Sequence, residues 1–122
     1  MASHIVVSML VCALSCEPVD VRVWDGDTMR LGMTNDAEAI RILNIDTPEI
    51  EGACPYEIDL AFRAKERLAQ LIANQPVEIV RDSLDQYGRT LAVLRINGQD
   101  VGDQLVAEGL ARTWTGRREP WC

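Results

Sequence analysis

The stretch Arg41-Ile42-Leu43-Asn44-Ile45-Asp46-Thr47-Pro48-Glu49 decides how this chain is read. Ile42, Leu43 and Ile45 make an apolar strand, and Asp-Thr-Pro-Glu closes it. Pro48 disfavours helical backbone at Thr47 and has no N–H to give a sheet, so the strand stops at a polar loop. A guanidinium and two carboxylates thus stand where a stiff element becomes a loop, a place that often carries binding and catalytic groups. On its own, the stretch is equally a strand with a solvated acidic exit, and the flanking sequence has to decide.

Upstream, Val19-Asp20-Val21-Arg22-Val23-Trp24 alternates as a half-buried strand does. Asp25-Gly26-Asp27-Thr28 breaks it as a turn, Met29-Arg30-Leu31 resumes, and Gly32 to Asp36 turns again. Ala39 to Ile45 is the third strand. Downstream of Pro55 the period changes to helical, with Ile58, Ala61, Phe62, Leu68, Ala69 and Ile72 on one face, which reads as core. Asn74 and Pro76 stop the helix. Val77 to Arg81 is a fourth strand, and Asp82 to Arg89 a polar connection containing Asp85-Gln86-Tyr87-Gly88-Arg89. Leu91 to Ile96 is a fifth strand, closed by the turn signal Asn97-Gly98. Val101 to Glu108 forms a short second helix capped at Gly109, Leu110 to Trp114 adds an extended piece, and the tail from Gly116 has no period. Five strands, with a helix after the third and another after the fifth, fit a mainly β domain of OB-barrel type. The pattern also permits another α+β arrangement.

At 122 residues the chain is one domain with one core. Its 48% hydrophobic and 25% charged content are those of a folded soluble protein. A net charge of −7, with a pI near 4.6, argues against a protein that coats nucleic acid electrostatically. It leaves room for an enzyme that meets nucleic acid through a few arginines and a bound cation.

The first fifteen residues carry no Asp, Glu, Lys or Arg, and Ile5 to Leu14 is nearly all apolar. That length is short for a membrane span and suits a signal-peptide core, with Ala13-Leu14-Ser15 offering small residues before Cys16. We therefore expect a leader over residues 1–15 and a domain over 16–122, in an exported protein. The alternatives are a further buried strand or an N-terminal helix packed on the domain. Removal of the leader would leave Cys16, Cys54 and Cys122. A Cys54–Cys122 bridge would pin the tail beside the acidic loop, with Cys16 free or carrying a lipid. With a single His, no zinc pattern is present.

The groups at strand ends carry the chemistry. Asp25 and Asp27 flank Gly26, Asp46 and Glu49 bracket Thr47-Pro48, and Arg41 and Arg89 stand beside them. Asp27, Asp46 and the Thr47 carbonyl offer oxygen donors to a hard ion, so Ca²⁺ or Mg²⁺ is favoured over zinc or copper. Phosphodiester hydrolysis needs charge on the phosphoryl oxygens and a proton acceptor for water. Two arginines suit the first task and a glutamate the second. Singly, acidic turns are usually only turns. One obstacle is geometric: Arg41 and Asp46 are five apart, so strict alternation sends them to opposite faces unless the chain turns between them.

Asp25-Gly26-Asp27-Thr28, Arg41 through Asp46-Thr47-Pro48-Glu49, and Asp85-Gln86-Tyr87-Gly88-Arg89, in this order and with a helix between the last two, together resemble the staphylococcal nuclease (thermonuclease) family. The similarity runs from about Val19 to Ala111. It implies a five-stranded OB-fold barrel with two helices and Ca²⁺-dependent endonucleolytic hydrolysis of DNA and RNA to 3′-phosphate ends by a monomer. By motif position, Asp27, Asp46 and the Thr47 carbonyl would hold Ca²⁺, with Asp25 in support. Arg41 and Arg89 would bind the scissile phosphate, Arg89 also assisting the leaving group, and Glu49 would act on the attacking water. The chain departs from the family in being acidic and in lacking the long C-terminal helix and the tyrosines that stack on the nucleotide. Trp114 or Trp121 are candidates to stack instead. Two other readings are a non-catalytic OB module binding nucleic acid or protein, and a domain displayed through a lipid on Cys16.

Overall fold

The computed structural model describes residues 4–122. Its strands are β1 (Ile5–Cys12), β2 (Cys16–Asp25), β3 (Thr28–Leu31), β4 (Glu38–Ile42) and β5 (Ile45–Asp46). Helix α1 (Pro55–Ile72) follows, then β6 (Pro76–Leu84), β7 (Thr90–Ile96), β8 (Gln99–Asp100), α2 (Val101–Ala107) and β9 (Arg112–Thr113). The strands run in the order β4-β3-β2-β1-β6-β7-β8, and β7 returns to β4 in parallel, closing a six-stranded barrel. With two helices against it, this is the OB-type barrel of a mainly β domain, enlarged by one strand. Closure leaves no open edge among the six strands, and β8 lies outside the ring, beside β7.

The additional strand is β1, built from the segment expected to be a leader. It pairs antiparallel with β2 along its whole length and parallel with β6 from Leu10 to Cys12. Met9 is fully buried in the core, worth on the order of 2 kcal/mol by apolar transfer. A disulfide joins Cys12 to Cys16 across the turn into β2, so Cys16 is neither free nor left over here.

The third expected strand, Ala39 to Ile45, is two strands. Asn44 adopts a left-handed φ of 71°, which ends β4 and starts β5 in a new direction. Among the described residues β5 pairs only with β9, Asp46 opposite Arg112, as a small ribbon off the barrel.

Helix α1 buries Leu60, Ala61, Ala64, Leu68, Ala69 and Ile72. Of the face expected to be core, Ile58 and Phe62 fall outside it, at 36% and 43% exposed. The reason is a close approach: a Cβ built on Gly26 would lie 2.8 Å from Ala64 Cβ and 3.0 Å from Thr47 Cγ2. Only small side chains let the helix lie that close to the turn after β2, so bulky Phe62 stays at the flank. Lys65 is carried inward with Ala64; burial lowers its pKa and the charge of Asp25 opposes that. Asp100 caps α2 through the N–H groups of Gly102 and Asp103, and Gly109 ends the following turn at φ 75°. Glu38 accepts from both Arg81 and Thr90, stitching β4 to β6 and β7.

Candidate active site

The site gathers at the mouth where the β2–β3 turn, the β4–β5 exit and the N-terminus of α1 meet. The β2–β3 register shifts between Val23 and Asp25, so the chain enters the acidic turn through an irregularity. Within the turn the Asp27 N–H donates to Asp25 Oδ1 at 3.1 Å. The Ile42 N–H donates to the Asp27 carbonyl at 2.8 Å, tying the end of β4 to the turn.

Asp27 is the joint of the site. Its Oδ2 receives Arg41 Nη1 at 3.1 Å and the Thr47 N–H at 3.3 Å, and its Oδ1 receives the Thr28 hydroxyl at 3.2 Å. Arg41 Nη1 also donates to the Ile42 carbonyl at 2.7 Å. The left-handed turn at Asn44 removes the alternation obstacle: it lets Asp46 and Thr47 come back to the side on which Arg41 already points. Asp27, Asp46 and Thr47 are all buried.

Glu49 follows Pro48 on a loop that Glu57 holds. The Glu57 carboxylate, in the first turn of α1, accepts the Glu49 N–H at 3.0 Å and the Ala53 N–H at 3.1 Å. It thus ties the loop before α1 to the first turn of the helix. Those two backbone donors hold its pKa below the ordinary glutamate value of 4.5. The fit requires glycine at 52, where a Cβ would lie 2.6 Å from Glu57 Cγ and 2.9 Å from the Glu49 carbonyl.

An unexpected cation sits in this cluster. Arg118 Nη1 lies 3.0 Å from Asp46 Oδ1 and 2.9 Å from Glu49 Oε1, and its Nη2 lies 3.4 Å from Glu57 Oε2. It arrives from the aperiodic tail, 72 residues beyond Asp46. The Cys54–Cys122 disulfide, one of the pairings the sequence left open, is present and holds that tail. Trp121 is buried at 8% exposure, under the Arg112 guanidinium 3.7 Å from its ring centre. Its indole N–H has no partner in hydrogen-bonding geometry among the described residues, yet lies near enough to Asp46 to favour that carboxylate's charged form.

Arg89 leaves the β6–β7 connection, where Asp85 accepts the N–H groups of Tyr87 and Arg89 and the Arg89 Nε at 2.7 Å. Arg89 and Arg41 line one cavity of about 380 Å³ together with Tyr87 and Trp114. Trp114 is 43% exposed there, its backbone N–H donating to the Asn44 carbonyl at 2.8 Å, so the two tryptophans divide their roles. A second cavity of about 330 Å³, lined by Asp25, Arg30, Trp24, Tyr87 and Arg89, lies on the other side of Arg89.

Of the residues singled out in the sequence, Asp27, Arg41, Asp46 and Thr47 form one cluster. Glu49 joins it through Arg118, and Arg89 faces Arg41 across the cavity without touching the acidic residues of that cluster. Arg118 and Glu57 were not foreseen. The Cys54–Cys122 link was the one signal that could have placed the tail here.

The donor set suits a hard cation. Burial, then the charge of Asp25, pushes the Asp27 carboxyl up to about 7 despite Arg41. Burial raises Asp46 as well, against the charge of Arg118. Two carboxylates whose charged forms burial disfavours are oxygen donors that a divalent ion would relieve. Among the described residues no group of three His, Cys, Asp or Glu side chains is placed to hold a metal ion, so an ion here would rely on the Thr47 carbonyl and water as well.

A sequence profile described as staphylococcal nuclease homologue matches residues 39–120, two thirds of the chain. The chain belongs to the staphylococcal nuclease family. The profile match begins after the acidic turn, so Asp25 and Asp27 are tied to the family's region by the contacts above. Among similar proteins, the SPbeta prophage-derived endonuclease YokF of Bacillus subtilis (strain 168) is 37% identical over 106 residues, covering 79% of this chain and 34% of its own. The micrococcal nuclease of Shigella flexneri is 34% identical, covering 75% and 54%. The thermonuclease of Staphylococcus hyicus is 32% identical, covering 75% and 56%. The chain thus spans between a third and just over half the length of these relatives.

Proposed function

We propose that this chain is a Ca²⁺-dependent endonuclease that hydrolyses phosphodiester bonds of DNA and RNA and leaves 3′-phosphate ends. The observation that carries the reading is Asp27 Oδ2, which receives Arg41 of the second motif and the Thr47 N–H at its exit, in a chain of the staphylococcal nuclease family. Endonuclease, micrococcal nuclease and thermonuclease are the names borne by the relatives.

Asp27, Asp46 and the Thr47 carbonyl would hold the ion, with Asp25 fixing the turn. When bound, Ca²⁺ supplies positive charge to a phosphoryl oxygen and to the attacking water. Arg41 and Arg89, on the walls of one cavity, grip the remaining phosphoryl oxygens, which a planar guanidinium does bidentately. Glu49 takes a proton from water as its oxygen bonds to phosphorus. The bond from phosphorus to the 5′ oxygen breaks, and Arg89 stabilises the charge on that leaving oxygen until it is protonated. The products are a 3′-phosphate and a 5′-hydroxyl. Trp114 offers a stacking face beside the two arginines. With a net charge of −7, nonspecific attraction to the polyanion is weak, so these few contacts carry most of the affinity.

Export is part of the proposal. Two disulfides suit an oxidising compartment, and among the described residues no helix is long and apolar enough to cross a membrane. The proposed leader over residues 1–15 overlaps β1: cleavage before Cys16 would remove that strand and expose the edges of β2 and β6. The intact mass of the exported protein reads which boundary the cell uses.

The function is tested by digesting single-stranded DNA, duplex DNA and RNA with Ca²⁺ or with EDTA, followed by end-group analysis. Cleavage only with Ca²⁺, leaving 3′-phosphates, supports it. A non-catalytic barrel that binds nucleic acid or protein, the alternative that the acidic surface keeps open, leaves every substrate intact.

A further inference from the structure

The Arg118 guanidinium is shared by three carboxylates, and the tail that brings it is held at several points. Arg112 donates to the carbonyls of Glu119 and Pro120 at 3.3 and 2.8 Å and stacks on Trp121. Trp121 is anchored in the core, and Cys122 is bonded to Cys54 one residue before α1. Arg118 therefore projects from a strap with two fixed ends rather than from a loose terminus. Asp46, its closest buried partner, is one of the carboxylates assigned to the ion, and Glu49 is the assigned proton acceptor.

We propose that Arg118 is a tethered counter-cation that competes with the divalent ion for Asp46 and Glu49, and that the Cys54–Cys122 disulfide sets the strength of that competition. The inference rests on the reading that Asp27, Asp46 and Thr47 hold Ca²⁺. Its physics is elementary: a positive charge about 3 Å from a ligand carboxylate lowers that ligand's attraction for a second cation, more so at a buried position than in water. Tethering gives the guanidinium a high effective concentration at the carboxylates, and releasing one end of the strap lowers it. The site's cation affinity then depends on the redox state of its surroundings: weaker where the disulfide is intact, tighter where it is reduced.

Calorimetric titration with Ca²⁺ alone, at low ionic strength and without substrate, tests this on the full chain. Arg118→Gln removes the charge and keeps much of the side chain's bulk. The expected result is a Kd tighter by about tenfold, the scale of one weakened ion pair in a partly buried site, and a gap from wild type that closes as NaCl is raised. Cys54→Ser with Cys122→Ser is expected to tighten binding in the same direction while leaving Cys12–Cys16 intact. Adding Asp46→Asn to Arg118→Gln should abolish the tight binding, which ties the signal to this site. An unchanged or weaker Kd in Arg118→Gln overturns the proposal, since Arg118 would then be a neutral or positioning neighbour. A wild-type Kd in the double serine variant overturns the disulfide's part. If wild type and Arg118→Gln both bind no Ca²⁺, the ion assignment itself fails, an outcome distinct from equal binding by the two.

Discussion

Gly26 and Ala64 meet so closely that a single methyl group on Gly26 would lie 2.8 Å from the Ala64 Cβ. This contact seats α1 on the acidic turn and so sets where Asp25 and Asp27 stand relative to the helix. Gly26→Ala should therefore cost about 1–3 kcal/mol, the usual range for overpacking. It should also slow hydrolysis by more than the loss of folded protein explains. Urea unfolding and initial rates on the same preparation check both, and Gly26→Ala paired with Ala64→Gly should recover part of each loss.

Glu57 provides a pH signature. Its pKa is depressed in the folded chain by the N–H groups of Glu49 and Ala53, so it stabilises the fold above the ordinary glutamate value of 4.5. That contribution is lost as pH falls below 4.5 and through the folded pKa. Wild type should accordingly lose stability over this acid range more steeply than Glu57→Gln, whose side chain has no such titration. Denaturant midpoints of the two proteins measured from neutral pH downward give the comparison, and parallel curves would deny Glu57 this role.

The Cys54–Cys122 bridge closes a loop with a sequence separation of 68. In the chain-entropy model such a loop stabilises by about 4 kcal/mol, and measured values commonly fall somewhat short. Cys54→Ser with Cys122→Ser should lower the denaturant midpoint by an amount corresponding to about 2–4 kcal/mol, and it should expose Trp121, read as a red shift of tryptophan fluorescence.

Much of this architecture was legible beforehand because it rests on local chemistry. Pro55 starts α1, Asn97-Gly98 turns β7 into β8, and the period-2 run from Val19 marks β2. Residues whose place depends on a long-range contact were not legible. Phe62 looked like core until the Gly26–Ala64 approach rotated the helix. Ala39 to Ile45 looked like one strand because Asn44 seldom announces a left-handed turn within an apolar run. Arg118 lies in an aperiodic tail, and long-range ties (the Cys54–Cys122 pairing, buried Trp121 and the Arg112 hydrogen bonds) bring it to Asp46. The candidate site divides similarly: the motifs supplied the residue types, and the meeting of Arg41 and the Thr47 N–H on Asp27 required the fold.

Trp114 should act in binding rather than in chemistry. It lines the cavity shared by Arg41 and Arg89, and base stacking on such a face is worth about 1–3 kcal/mol. Trp114→Ala is expected to raise KM for single-stranded DNA about tenfold while kcat changes little. Equal losses in kcat and kcat/KM would place the indole in the transition state instead.

On the proposed function, Arg89, Arg41 and Glu49 serve one phosphodiester at one cation-holding site. The direct measurement is single-turnover cleavage of a short DNA in Ca²⁺ by Arg89→Ala and Glu49→Gln, alongside wild type, with circular dichroism confirming each fold. Each variant should remain folded and cleave on the order of 10³-fold more slowly, the scale of losing a charge-stabilising arginine or a positioned base. Folded variants that cleave at the wild-type rate would contradict it.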